Sequence, residues 1–110
     1  MSLTIYGLKN CDSCRKALKT LSAEGLCVRF IDIRMEADLD TKLPDWLSRI
    51  GPDSLINKRS TSWRTLSQTE REEPPLQLLK SHATVIKRPI IERDDQIYVG
   101  WSDAIHAALL

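Results

Sequence analysis

The chain opens on an apolar, β-prone run, Leu3 to Tyr6, closed by the turn residues Gly7 and Asn10. Cys14, Ala17, Leu18 and Leu21 then recur at i, i+3, i+4 and i+7, the spacing of one helical face. Lys16, Lys19 and Thr20 fall on the other face, and Gly25 is a C-terminal stop. Val28 to Ile33 reads as a second strand, parallel to the first, which closes a β-α-β unit. Residues 34–38 are a polar connection.

The middle of the chain changes period. Asp40 or Thr41 is placed to cap a helix running to about Ile50, with Leu43, Trp46, Leu47 and Ile50 on one face and Pro44 in the first turn. Gly51 and Pro52 end it. Asp53 or Ser54 would cap a short helix that turns Leu55 and Ile56 inward. Residues 57–62 form a polar, basic loop, Trp63 and Leu66 return to the core, and residues 67–73 are charged and expected to be solvated. Pro74 or Pro75 starts a helix to about Ser81 carrying Leu76, Leu78 and Leu79, with His82 at its C-terminal end. Val85 and Ile86 lead into Lys87-Arg88-Pro89. Ile90 and Ile91, a turn at residues 94–96, and Ile97 to Val99 make a hairpin. Ser102 caps a last helix, residues 103–109, with Ile105, Ala108 and Leu109 apolar. The pattern predicts an α/β domain with a four-stranded mixed sheet, two strands parallel and two in the hairpin, and helices on both faces.

Composition narrows the function classes. A chain of 110 residues suits one domain and buries roughly two-thirds of its unfolded surface, enough to fold without staples. A net charge of +1 gives no bulk field to attract nucleic acid, and the local cations Lys58, Arg59 and Arg64 around Trp63 are a thin patch. No apolar run is long enough to span a bilayer. The start, MSLTIYG, lacks the basic and apolar regions of a signal peptide. Three cysteines, an odd number with one C-x-x-C pair, point to reactive thiols in a reducing cytoplasm rather than a disulfide framework.

The chemistry concentrates at the start of the first helix. Unpaired N–H groups and the positive end of the helix dipole favour a thiolate at Cys11. Arg15, four residues on, and Lys9, two residues before, add positive potential. Cys14 is close enough in sequence to attack a mixed disulfide at Cys11. Strand, loop, C-x-x-C and helix in that order read as a thiol–disulfide site. Zinc would need about four ligands, and beyond the pair only Cys27, His82 and His106 are candidates, on separate elements, so no metal is expected. Cys27 reads as a small buried hydrophobe rather than a third redox partner.

Three segments, TIYGLKNCDSCRKALKTL (4–21), SLINKRSTSWRTL (54–66) and VIKRPIIERDDQIYVGW (85–101), resemble the arsenate reductase-related, or ArsC-like, family in order and spacing. Among its branches the chain looks most like the small YffB-type proteins in length and in residues 54–66, with Cys14 shared with the Spx pattern. The resemblance implies a thioredoxin-like fold, β-α-β plus β-β-α, as a single domain over residues 1–110 with a helical insertion at about 39–82. It implies that Pro89 follows a cis peptide bond beside the active cysteine and helps bind substrate thiol, and that Arg88 is an oxyanion- or thiolate-binding arginine. The family's other two oxyanion arginines fall opposite Asn57, with Lys58 and Arg59 adjacent, and near Gly100. The expected catalytic set is therefore Cys11, Cys14, Arg15 and Arg88, with Lys9, Asn57, Lys58, Arg59 and Pro89 binding substrate. The implied activity is that of a monomeric thiol–disulfide oxidoreductase, with Cys14 or glutathione resolving the Cys11 adduct, glutathione as co-substrate and glutaredoxin as a candidate partner. Plain arsenate reduction is the least favoured enzymatic variant. The Spx branch implies an alternative, a redox-sensing regulator that binds RNA polymerase.

Overall fold

The computed structural model describes residues 2–109, which fall into two compact units, Met1–Glu36 with Arg88–Leu110, and Ala37–Lys87. The first unit holds β1 (Ser2–Gly7), α1 (Asp12–Ala23), β2 (Cys27–Asp32), β3 (Ile90–Arg93), β4 (Gln96–Val99) and α7 (Asp103–Leu109). The second holds α2 (Leu39–Ile50), α3 (Pro52–Leu55), α4 (Thr61–Arg64), α5 (Gln68–Arg71), α6 (Pro75–Ser81) and a 3₁₀ turn, Ala83–Val85.

In the first unit the sheet order is β2-β1-β3-β4. β1 pairs with β2 in parallel, and β3 pairs antiparallel with both β1 and β4. Because side chains alternate along a strand, Leu3 and Ile5 share one face of β1, and the register sets Ile5 beside Phe30 on one side and Ile91 on the other. That face forms the core with Ala17 and Leu21 of α1 and Leu109 of α7. The expected helical face of α1 is the one that is buried. Tyr6 points to the opposite face, where its hydroxyl donates to Glu92 Oε1 at 3.0 Å. The strand order is that of the thioredoxin-like arrangement.

Chain pattern and structure differ at several element ends. β2 begins at Cys27, not Val28, and Cys27 is exposed rather than buried. It pairs with Ser2 on the face away from Leu3, at the first position of a strand on the sheet edge. β3 and β4 run to Arg93 and from Gln96, leaving a tight turn with Asp94 at φ 53°, a left-handed conformation that aspartate tolerates. Ala108 is exposed. Ser102 does cap α7, accepting from the Ile105 N–H at 3.2 Å.

In the second unit α2 packs on α3 and α6, and the 3₁₀ turn on α4 and α6. Leu43, Trp46, Leu55, Leu78, Leu79 and Val85 are fully or almost fully buried. α2 starts at Leu39, earlier than the pattern indicated, so Pro44 lies inside the helix, not in its first turn. Its ring nitrogen cannot donate to the Asp40 carbonyl, a cost tolerated at an exposed position. The Gly51–Pro52 pair itself starts α3. Ile56 leaves the helix and bridges to Ile86. The stretch after Ser60 is helical, capped by Ser60, whose oxygen accepts from the Trp63 N–H. Residues 68–71 form a helix with a reciprocal capping box, Ser67 and Glu70. Leu76 is 40% exposed.

Candidate active site

Cys11 is the N-cap of α1, with extended backbone at φ −98° and ψ 123°. Its N–H donates to the Leu8 carbonyl at 3.1 Å, and its carbonyl accepts the first intrahelical bond, from the Arg15 N–H at 3.0 Å. The loop after β1 is therefore tied at both sides of the cysteine, and the sulfur stands over the first helical turn, half-buried. Three donors converge on it. Partial burial works to raise the thiol's pKa, but the Cys14 backbone N–H, the Cys14 thiol, and the Arg88 guanidinium by hydrogen bond and by charge outweigh it, and the net direction is down.

Cys14 is 0% exposed. It lies on the apolar face of α1 beneath the end of β1, where Gly7 makes room: a Cβ at Gly7 would overlap the Cys14 sulfur and come within 3.1 Å of its Cβ. Burial pushes the Cys14 thiol up to about 12; the Leu8 backbone N–H opposes this, the neighbouring Cys11 sulfur adds to it, and the Arg88 charge opposes it. The two thiols thus differ in kind. One is a stabilised anion within reach of solvent, and the other is a protonated donor inside the core.

Arg88 joins this pair from the far end of the chain. The Arg88–Pro89 peptide is cis, as the family resemblance implied. The Pro89 carbonyl accepts from the Gly100 N–H at 2.8 Å, and Gly100 has φ +84°, which a glycine supplies without strain. This ties the loop before β3 to the end of β4.

The other expected residues are placed differently. Arg15 is on the right helix but its side chain is 63% exposed and paired with Asp12, and it is not among the groups that lower the Cys11 pKa. Lys9 is exposed and likewise absent from that set. Asn57, Lys58 and Arg59 belong to the second unit and form their own turn. Asn57 Oδ1 accepts from the Arg59 N–H at 3.1 Å, and the Ser60 hydroxyl donates to the Asn57 carbonyl at 2.8 Å. Trp63 is half-buried there between cations, with Lys58 Nζ 5.8 Å and Arg71 Cζ 5.3 Å from its ring centre. Two features escaped the sequence reading. Gly7 was read only as a turn residue, and nothing in one sequence tells a turn glycine from one that accommodates a sulfur. The Ser67–Glu70 box was legible as S-x-x-E. Among the described residues no three His, Cys, Asp or Glu side chains cluster to hold a metal ion, and no helix is long and apolar enough to cross a membrane.

Comparison with known proteins bears on the fold and the family. The chain is 36% identical to an uncharacterised protein of Haemophilus influenzae over 96% of both chains. It is 33% identical to an arsenate reductase related protein of Brucella melitensis, whose structure superposes with a TM-score of 0.76 over 98% of this chain and 93% of that one. A protein described as YFFB superposes at 0.87 with 25% identity over 96% of both. A glutaredoxin of Archaeoglobus fulgidus, 17% identical with a TM-score of 0.53 over 97% of this chain and 83% of that one, shares the fold alone. The ArsC family pattern matches residues 6–108, and with a thioredoxin-like sheet carrying the C-x-x-C helix the chain belongs to the ArsC family.

Proposed function

We propose that the protein is a thiol–disulfide oxidoreductase in which the Cys11 thiolate attacks an oxidised substrate and a small thiol, glutathione, restores it. The observation that carries this reading is the convergence of the Cys14 N–H, the Cys14 thiol and the Arg88 guanidinium on one accessible sulfur. A helix N-cap with added hydrogen-bond donors is the environment that keeps a cysteine ionised near neutral pH. Likeness to an arsenate reductase related protein at 33% identity supports thiol chemistry. By the family resemblance an arsenate site would hold three arginines; Arg88 matches one, while Asn57, with Lys58 and Arg59 adjacent, and Gly100 stand at the other places, which favours a thiol-bearing substrate over the oxyanion.

Alkylation of Cys11 followed against pH tests this. A half-point below the ordinary thiol value of about 8.5 is expected. Arg88→Ala should raise it and slow alkylation at neutral pH about tenfold, since a hydrogen bond to a charged group is worth about 1.5–3 kcal/mol. An ordinary half-point in the wild type, unchanged by Arg88→Ala, would remove the basis for the reading. Turnover of a mixed-disulfide substrate with glutathione distinguishes an enzyme from a regulator, which would bind a partner without turnover.

A further inference from the structure

Away from Cys11, at the N-terminal end of β1, the sheet face turned from the helical core is open and polar. A cavity of about 510 Å³ lies there, with Ser2, Thr4, Cys27, Arg29, Glu92 and Asp94 in its walls, and its size is that of a small-ligand site. We propose that it binds a short peptide with free ends, two or three residues long, whose C-terminal carboxylate meets Arg29 and whose N-terminal ammonium meets Asp94 beside Glu92. The site does not depend on Cys11 being a nucleophile.

The strand register builds the floor. Thr4 of β1 pairs with Arg29 of β2 on one side and with Glu92 of β3 on the other, and Ser2 pairs with Cys27 in the adjoining row. Side chains two apart share a face, so these five stand opposite Leu3 and Ile5, whose side packs on Ala17, Leu21 and Leu109. Further along the polar face Tyr6 and Ile90 are buried, which confines the opening to the start of β1. Neighbouring strands lie about 4.8 Å apart, so the Arg29 and Glu92 columns are separated by about 10 Å. An extended chain covers about 3.3–3.6 Å per residue. Two or three residues bridge the columns, and a single amino acid does not.

Charges of both signs share this cavity without meeting. Arg29 and Asp94 are exposed, and among the described residues neither side chain makes a hydrogen bond or ion pair. Glu92 is half-buried and held in place, its Oε1 accepting from the Tyr6 hydroxyl at 3.0 Å. A simple ion of either sign is attracted to one wall and repelled by the other. A molecule with a carboxylate at one end and an ammonium at the other suits both, and a guanidinium can grip the carboxylate with two parallel hydrogen bonds. The Ser2 and Thr4 hydroxyls, which both donate and accept, stand on the middle strand, where the peptide groups of such a ligand would lie. β1 rises about 3.3 Å per residue, so Thr4 is roughly 10 Å from the Gly7 end of the strand, and a peptide over Thr4 leaves Cys11 open. Cys27 is an exposed thiol in the wall and reports whether the cavity is filled.

The test uses the whole wild-type protein at neutral pH with triglycine, and with N-acetyl-triglycine and triglycine amide as end-blocked probes. Millimolar triglycine should slow alkylation of Cys27 and leave that of Cys11 unchanged, the two thiols being separated by peptide mass mapping. Each blocked peptide should bind about tenfold more weakly, because each loses a hydrogen bond between charged groups. Arg29→Gln should erase the preference for triglycine over its amide and keep the preference over the acetylated peptide. Asp94→Asn should shrink only the second preference. Equal protection by free and blocked peptides would overturn the proposal, and so would equal protection by acetate or ammonium ions, the mark of a simple ion site. Unchanged Cys27 alkylation in millimolar triglycine, with unshifted amide resonances at residues 2–4 and 27–29, would overturn it as well.

Discussion

At the scale of single residues, the site depends on a small set of contacts around two sulfurs. Gly7 is one whose role only the packing reveals. Gly7→Ala places a methyl group against the Cys14 sulfur, and overpacking of this kind costs about 1–3 kcal/mol; a lowered urea midpoint together with slower Cys11 alkylation is the expected outcome. The pair also sets an alkaline limit on stability. Because the folded state holds the Cys14 proton up to about 12 while an unfolded thiol loses it near 8.5, the unfolded state binds fewer protons between those values, and stability falls as pH rises through that window. Cys11 has the opposite sign. Its lowered pKa adds stability as pH rises toward the ordinary thiol value, and that contribution is complete above it. Denaturant midpoints above that value should therefore decline more steeply in the wild type than in Cys14→Ser. Cys11 and Cys14 were legible as a pair from their spacing. Their division into anion and donor was not, because it follows from burial and from Arg88, 74 positions further along in a different segment of the chain.

Elements show a different division. α1 carried its signature openly, since one buried face at period 3.6 survives any tertiary context. The short helices of the second unit did not, because four residues hold too few apolar positions to show a period. α4 and α5 are instead specified by side-chain caps, Ser60 and Ser67. Ser67→Ala removes one arm of the capping box and should lower stability by about 1 kcal/mol, read as a shift of the thermal midpoint. Hydrogen bonds from the Ser67 N–H and hydroxyl side hold the Glu70 carboxyl below its ordinary range, with a smaller contribution from the His82 charge. Stability from that carboxylate is present above the ordinary Glu value and is lost as pH falls through the folded one, so the gap between wild type and Glu70→Gln should narrow in acid. A gap that stays constant with pH would show that the Glu70 arm contributes nothing.

On the scale of the whole molecule, the chain closes its first unit by bringing both ends together. Leu109 of α7 packs with Leu3, Ile5 and Leu21, the Glu24 carboxylate meets His106 Nε2 at 2.6 Å, and the Arg93 guanidinium donates to the Leu109 carbonyl. Leu109→Ala should therefore act as a core truncation, costing about 2–5 kcal/mol despite its place next to the C-terminal residue. Chemical denaturation measures it, and a change under about 1 kcal/mol would show that the end of α7 is not part of the core. The same unit brings Arg88, from the segment before β3, to Cys11 at the start of α1.

What the sequence determined by itself is what short-range patterns carry. The order of strands and long helices, the C-x-x-C at a helix start, the hairpin after Pro89 and the family were all readable, because periodicity, turn residues and motif spacing are local properties. What tertiary structure decided is what depends on neighbours distant in the chain. Cys27 is exposed because its strand lies at the sheet edge, Arg15 turns to Asp12 rather than to the thiol, and Cys14 stays protonated because β1 covers it at Gly7. The reason is physical: a residue's type sets which bonds it can make, while burial and the charges that reach it exist only once separate segments have packed.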